Sequence, residues 1–537
     1  MNHIWYKNAI IYSLDIETFY DSNGDGTGDF QGLIKKLDYL AGLGINCIWL
    51  LPFYPSPNRD NGYDVLDYYN VDNRLGTLGD FAEFMDKASG LGIKIIVDLV
   101  VNHTSIQHPW FQEARKDAAS KYYNYYVWSD RPLDYEDERV MLSGEVDTIW
   151  TYDEVAQRYY LHRFYKEQPD LNIANPHVRS EILRIIGFWL RLGVSGFRID
   201  AAEMLIEPYG ISGADQEDLS GFLVEMRDFI SLRASDGILL AETNLEPAKM
   251  STFMEAGKKM HMVFNFYLNQ HLFLALALKS ADPLHKALKK LPALEKENQW
   301  LNFLRHHDEL SLKLLNEKER NAIYTAFAPE DNMKIFGSGI RRRLAPMLNG
   351  DQQRLELSYS LLFTLPGICM IRYGDELGMG EDLRLEGRSS VRTPMQWNSS
   401  IHAGFSSSEE NYTHPVISDG HYSFKHVNVA ASQGKPGSLL NWIEHLITTR
   451  RQFPGIGLGI PETFQGAHPA VFVHSFRYDD EQVWFLHNLG DERVVVELTW
   501  SGLREKELVQ LLGDEPLNKI GKTIVMNPYG YRWMRAV

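Results

Sequence analysis

Apolar runs of strand length alternate with stretches of helical periodicity along most of this chain. Ala9–Leu14 and Ile45–Leu51 predict the first two strands, with a helix over Leu33–Leu43 between them. Further strands are predicted within Ile96–His103, Gly196–Glu203, Ile238–Asn244, Met262–Phe266, Trp300–Asp308 and Gly367–Glu376. Helical spacing returns over Val178–Leu192, Gln216–Ser231, Leu355–Leu365 and Leu439–Phe453. Strands that stay apolar on both faces and are separated by helices belong to a parallel sheet with a helical cover. The predicted class is α/β, a (β/α)8 TIM barrel.

The alternation lapses between Thr104 and Asn175, where aromatic and charged segments such as Tyr122–Asp130 and Ile149–Asp153 follow no period. A structureless loop of that length is improbable in a compact domain, so a small inserted domain after strand 3 is predicted. Residues 311–349 read as a polar excursion. From Gly455 onward, short alternating runs (Val471–Phe476, Val483–His487, Val494–Leu498, Thr523–Met526) with turn residues between them predict a C-terminal antiparallel β-sandwich. The expected division is a barrel over 1–103 and 176–454, an insert over 104–175 and a C-terminal domain over 455–537.

The chemistry sits at the ends of the strands. Gly196-Phe-Arg-Ile-Asp200 carries Arg198 and Asp200 two positions apart, which on an extended strand puts both on one face. A cation beside a carboxylate favours the ionised form and is expected to lower its pKa. Three other runs end in or contain polar groups: His103, Glu242, and the pair His307 and Asp308. Polar residues converging from several strand ends build the active site of a parallel barrel at its C-terminal rim. Two carboxylates facing a glycosidic bond are the working parts of glycoside hydrolysis.

With those four stretches in order, the sequence resembles the alpha-amylase family, glycoside hydrolase family 13. The resemblance implies Asp200 as nucleophile, Glu242 as general acid/base and Asp308 as the third, transition-state-stabilising carboxylate. It implies sugar hydroxyls bound by His103 and His307. Arg59-Asp-Asn-Gly-Tyr-Asp64 resembles the family's pocket for a non-reducing-end glucose, with Asp60 and Tyr63 in the matching places. Arg392, in Val391–Trp397, matches an arginine that pairs with the residue at Asp60 around the glucose 4-hydroxyl. Gln168–Asn172 matches a motif of the oligo-1,6-glucosidase and trehalose synthase branches. Further stretches, among them Trp49–Pro57, Asn102–Phe111, Gly339–Pro346 and Tyr373–Gly380, resemble the trehalose synthase branch and extend over nearly the whole chain. That branch interconverts maltose and trehalose by intramolecular glucosyl transfer. The chain departs from it at Thr243–Pro247, at His306–Asp308 and at Phe264–Leu268. A hydrolytic α-glucosidase is therefore the alternative, and a catalytically silent barrel in an accessory role a remote one.

A hard-cation site is expected in the loop Asp21–Asp29. Asp21, Asn23, Asp25 and Gly26 fit the opening of an EF-hand and Asp29 its ninth position, although Gly32 stands where an EF-hand needs Glu. Family members carry calcium here, which implies Asp21, Asn23, Asp25, Thr27 through its carbonyl, and Asp29 as ligands. The same resemblance implies a second calcium held by Asn102, Asp170, Glu207 and the carbonyls of Met204 and Leu205.

Bulk properties narrow the partners. Net charge is −17, with acidic and basic residues interspersed, which disfavours nucleic acid and anionic membranes and suits a neutral sugar. The 12 Trp and 27 Tyr suit sugar stacking, though a large core accounts for most of them. Cys47 and Cys369 both lie in apolar runs and read as buried thiols rather than a disulfide. No apolar segment resembles a signal peptide or a membrane span. A cytoplasmic enzyme is expected, with homo-oligomerisation left open.

Overall fold

The computed structural model describes residues 2–134, 146, 148–408, 412–500, 508–516 and 522–536. Part of the predicted insert, 135–145 and 147, and parts of the C-terminal region lie outside the described residues. Eight parallel strands close into a barrel: Ile10–Leu14, Cys47–Leu50, Lys94–Leu99, Gly196–Ile199, Ile238–Ala241, Met262–Phe264, Gln299–Phe303 and Ile368–Arg372. They pair in chain order, and the last pairs with the first.

Side-chain alternation divides each strand between two cores. Ile11, Cys47, Trp49, Ile96, Ile238, Met262, Leu301 and Met370 fill the barrel, whereas Ile10, Ile48, Ile95, Leu239, Val263 and Ile371 face the surrounding helices. Following the inward face upward, Ile11 leads to Ser13, Ile96 to Asp98 and Met370 to Arg372, all buried. The barrel interior therefore turns polar toward the carboxyl ends of its strands. The fourth strand must lie close against the fifth: a Cβ on Gly196 would come within 2.8 Å of the Ile238 carbonyl oxygen.

Helix Pro176–Arg191 places Trp189 under the second-strand loop. Its indole packs edge-on against Phe53 and Phe81, with centroids 5.2 and 5.0 Å away, and donates to the Tyr68 carbonyl at 2.8 Å. The helix expected over Leu33–Leu43 is two short ones, Phe30–Lys35 and Leu37–Gly42, broken at Lys36. The segment 311–349 is not merely polar. It contains helices Glu317–Phe327 and Leu344–Met347 and a three-stranded antiparallel sheet, because Leu312, Leu315, Ile323 and Phe327 bury against the main core.

After the third strand, helix Pro109–Ala114 leads to a small antiparallel sheet ordered Trp128–Ser129, Arg158–Leu161, Trp150–Asp153. Its apolar face, with Val127, Trp150 and Leu161, closes on Ile211 from the loop after the fourth barrel strand. An isolated bridge between His103 and Asp170 ties the end of this segment back to the barrel rim.

The C-terminal region is a five-stranded antiparallel sheet plus the pair Val494–Glu497 and Thr523–Met526. Val473, Trp484, Leu486, Val496, Ile524 and Met526 form the core between the two sheets. The opposite face of the larger sheet docks on helix Gln352–Thr364, where Trp533 Nε1 donates to Ser360 Oγ at 2.8 Å. Strands Leu508–Gly513 and Tyr531–Ala536 carry no alternation of the kind that marks the others, and the sequence reading missed them.

Trp189→Ala should lower stability by about 3–5 kcal/mol, the usual cost of emptying a large buried site. Urea unfolding followed by circular dichroism measures it, and a loss under about 1 kcal/mol would contradict this packing.

Candidate active site

One guanidinium organises the carboxyl end of the barrel. Arg198 is 1% exposed and donates from Nη1 to Asp98 Oδ1 at 2.5 Å and to Asp200 Oδ1 at 2.6 Å. Its Nη2 lies 2.6 Å from Glu242 Oε1. The register makes this unavoidable: Asp98 pairs with Arg198 across the third and fourth strands, and Arg198 with Leu240 across the next pair. Asp98 also accepts from Trp49 Nε1 at 3.0 Å. Ala201 follows with left-handed dihedrals, φ 45° and ψ 45°, and turns its N–H to Glu242 Oε2 at 3.2 Å.

Three carboxylates on one guanidinium leave an excess of negative charge, and burial adds to the cost of ionising them all. Burial pushes Glu242 up to about 7 and Asp98 likewise to about 7, with Arg198 pulling each down and neighbouring carboxylates pushing up. For Asp200 the expected lowering is reversed. Burial raises it above the ordinary carboxylate range, because Arg198 is shared rather than dedicated. Ionising all three together is therefore disfavoured, and Asp98 and Glu242 are lifted alike.

The third acid differs. Burial opposes ionisation of Asp308, but Arg388, His307 and Arg392 hold it well below the usual range. Arg392 Nη2 donates to Asp308 Oδ1 at 2.6 Å, and Arg388 Nη1 lies 3.2 Å from the same oxygen. His307 Nε2 sits 3.2 Å from Asp308 Oδ2 and 2.9 Å from the Tyr63 hydroxyl, and the Tyr63 and His307 rings stack at 10°. Burial keeps His307 neutral, lowered to about 3. His103 approaches the Tyr63 carbonyl through Nε2 at 3.2 Å.

The expected pairing of Arg392 with Asp60 is not what the structure shows. Arg392 bonds Asp308 and Asn61 Oδ1, the latter at 2.5 Å, while Asp60 Oδ2 accepts from Gln168 Nε2 at 2.8 Å. The chain turns through left-handed Asn58 and Asn61, which sends Asp60 toward the inserted segment and offers Asn61 to the arginine. Burial lifts Asp60 to about 6 against the attraction of Arg388 and Arg392.

Asp60, Tyr63, His103, Asp200, Glu242 and Asp308 line one pocket, together with Phe164, Glu203, Thr243, Asn244, His306 and Arg388. Sequence reasoning missed Asp98, Gln168, Glu203 and Arg388 as site residues. Asp98 was legible as the one acid inside an apolar strand, and Gln168 lay within a quoted motif. Nothing local marks Glu203 or Arg388.

The two sets of expected cation ligands are occupied by other contacts. In the loop, Asp21 accepts from the N–H groups of Asn23, Gly24 and Gly26, and Asp25 from that of Thr27. Asp29 caps helix Phe30–Lys35 through Gly32 N at 2.6 Å. At the second set, Asp170 Oδ2, the Met204 carbonyl and Glu207 Oε2 meet the Arg163 guanidinium at 2.5, 3.0 and 3.2 Å. Leu205 is buried beside Met204, and Asn102 Oδ1 is buried with no hydrogen-bond partner. Asp170, Glu207 and the Met204 carbonyl thus meet a guanidinium instead, one that the sequence did not reveal.

Residues 16–457 match the family described as the alpha amylase catalytic domain. The chain belongs to the alpha-amylase family. Residues 481–535 match the C-terminal domain of sucrose hydrolase-like proteins. The chain is similar to a trehalose synthase of Pimelobacter sp. (strain R48), 38% identical over 99% of this chain and 96% of that protein. It is similar to an oligo-1,6-glucosidase of Parageobacillus thermoglucosidasius, at 32% identity over 93% and 92% of the two chains. Among solved structures, a trehalulose synthase superposes with a TM-score of 0.80 at 25% identity, covering 99% of this chain and 100% of the other. These likenesses make the protein an alpha-amylase-family enzyme of the glucosyltransferase, isomerase or glucosidase kind.

A general acid must carry its proton, so the rate of glycosidic cleavage should fall as pH rises through about 7, where Glu242 ionises. A pH profile of kcat/KM tests this. Glu242→Gln should remove that limb along with most activity, and a flat profile from pH 6 to about 9 would exclude Glu242 as the acid.

Proposed function

We propose that this enzyme moves the non-reducing glucose of small α-glucosides by retaining double displacement, interconverting maltose and trehalose. Asp200 attacks the anomeric carbon while protonated Glu242 gives its proton to the departing oxygen. Asp308, kept ionised by its arginines, faces the positive charge that develops on the sugar ring. The glucosyl group rests as an ester on Asp200. Glu242, now anionic, withdraws a proton from the incoming hydroxyl, which attacks and frees Asp200.

The observation that carries this reading is the sharing of Arg198. Asp200 and Glu242 bond different nitrogens of one guanidinium, which supports a nucleophile and an acid/base acting together at one site. Asp60 and Tyr63 close the same pocket around a terminal glucose. Hydrolysis is the second reading. It is favoured by Thr243 and His306, which depart from the trehalose synthase pattern and line the pocket beside Glu242. The setting consistent with two buried free thiols, Cys47 and Cys369, is a reducing cytoplasm; among the described residues, no helix is long and apolar enough to cross a membrane.

Calcium belongs to the proposal as a structural ion. The loop oxygens of Asp21, Asn23, Asp25, Thr27 and Asp29 suit a hard cation. Asn102, Asp170, Glu207 and the carbonyls of Met204 and Leu205, the second expected set, do not fit an ion, because the buried Arg163 guanidinium already neutralises Asp170 and Glu207 there.

Incubation with maltose, followed by anomeric proton NMR, should show trehalose accumulating; glucose alone would establish the hydrolase. Asp200→Asn should lower turnover by about 10³-fold or more. For the ion, chelation should lower the melting temperature by several degrees and added calcium restore it, as binding to the folded state alone requires. A melting temperature indifferent to both would remove calcium from the proposal.

A further inference from the structure

Part of the pocket is left unused by the double displacement. The left-handed turn at Ala201 starts the short helix Ala202–Leu205, which brings Glu203 to the pocket wall. Glu203 Oε2 accepts from the N–H of Asn244 at 3.2 Å. Asp200, Glu242, Asp308 and Glu309 each have an arginine within 4 Å, whereas among the described residues no cation lies that close to Glu203. Burial raises its pKa above the ordinary range against the more distant attraction of Lys313. A carboxylate in this state has acceptor capacity that the chain itself leaves open.

Other polar groups line the same pocket. Asn244 is fixed by Gln270, whose Nε2 donates to its Oδ1 at 3.1 Å, and its own Nδ2 donates to Ser311 Oγ at 2.9 Å. Ser311 therefore retains its hydroxyl proton for donation. His306 Nδ1 accepts from Asp308 N at 3.3 Å, which puts the ring proton on Nε2. That Nε2 and Thr243 Oγ1 are both buried without a partner, their residues 3% and 1% exposed. Buried donors left open are costly, and both residues line the pocket that a polyhydroxylated guest would enter.

We propose that Glu203, with Thr243, His306 and Ser311, holds the second sugar, and that Glu203 decides whether a sugar or water receives the glucosyl group. This rests on the glucosyl-transfer reading above. A glucose gripped by its hydroxyls at Glu203 is retained after the first bond breaks and re-presented to the ester on Asp200. In the second step the acceptor oxygen bonds the anomeric carbon, the Asp200–carbon bond breaks, and the acceptor's proton passes to Glu242. Without that grip, water enters instead.

α-Glucosyl fluoride separates the two roles, because its leaving group is one atom and needs no second-sugar site. In Glu203→Ala, kcat/KM for maltose should fall about 10-fold more than that for α-glucosyl fluoride. With α-glucosyl fluoride and added glucose, the ratio of disaccharide to free glucose formed should drop about 5-fold, and Glu203→Gln, which keeps the volume, should fall between wild type and Ala. Equal losses on both substrates, or an unchanged product ratio, would overturn the assignment of Glu203 while leaving glucosyl transfer standing. Wild-type enzyme that cannot turn over α-glucosyl fluoride would defeat the transfer reading itself, and this proposal with it.

Discussion

The site depends on a guanidinium that cannot leave. Arg198 is buried at the top of the barrel, lies over the Trp49 and Tyr63 rings at 5.1 and 5.8 Å, and is held from three sides by Asp98, Asp200 and Glu242. Desolvating an arginine is tolerable only with compensating charge, and desolvating three carboxylates only with a cation. Each justifies the others. The excess of acid over base then raises all three acids above the ordinary range, while Asp200 keeps its contact with the arginine. Removing Arg198 would strand three buried acids at once, so the barrel top has no simpler stable arrangement of the same residues.

Around that centre the electrostatics are graded. Asp308 lies between Arg388 and Arg392 and is held ionised, whereas Asp60, with an amide partner from Gln168, is lifted toward neutrality. The two outer arginines come from the long loop after the eighth strand, and Gln168 and Phe164 from the segment after the third. Loops carry the outer wall of the pocket, and the strand ends carry the Arg198 cluster beneath it. The C-terminal sheet stays out of the chemistry. It braces helix Gln352–Thr364, which packs against the eighth strand and thereby steadies the base of the arginine-bearing loop.

The barrel was readable because its strands are short, apolar on both faces and end in polar residues. Asp200, Glu242 and Asp308 were readable for the same reason, each standing at such an end, and the pocket does bring them together with Asp60, Tyr63, His103 and their arginines. Boundaries were less legible. The strand predicted through Asp308 stops at Phe303, and the polar excursion after it hides buried Leu312 and Leu315 in a turn and Ile323 and Phe327 in a charged helix.

Local pattern determined which residues could stand at the rim, since side-chain period and strand length are properties of consecutive positions. Only the closed sheet decided who meets whom. Asp98 and Arg198 are 100 residues apart and touch because their strands are neighbours in register. The placement of Arg392 on Asp308 rather than Asp60 and the approach of Arg163 to Glu207 are likewise contacts between distant segments. No periodicity encodes them, because their energies come from burial and charge that exist only once the chain has folded.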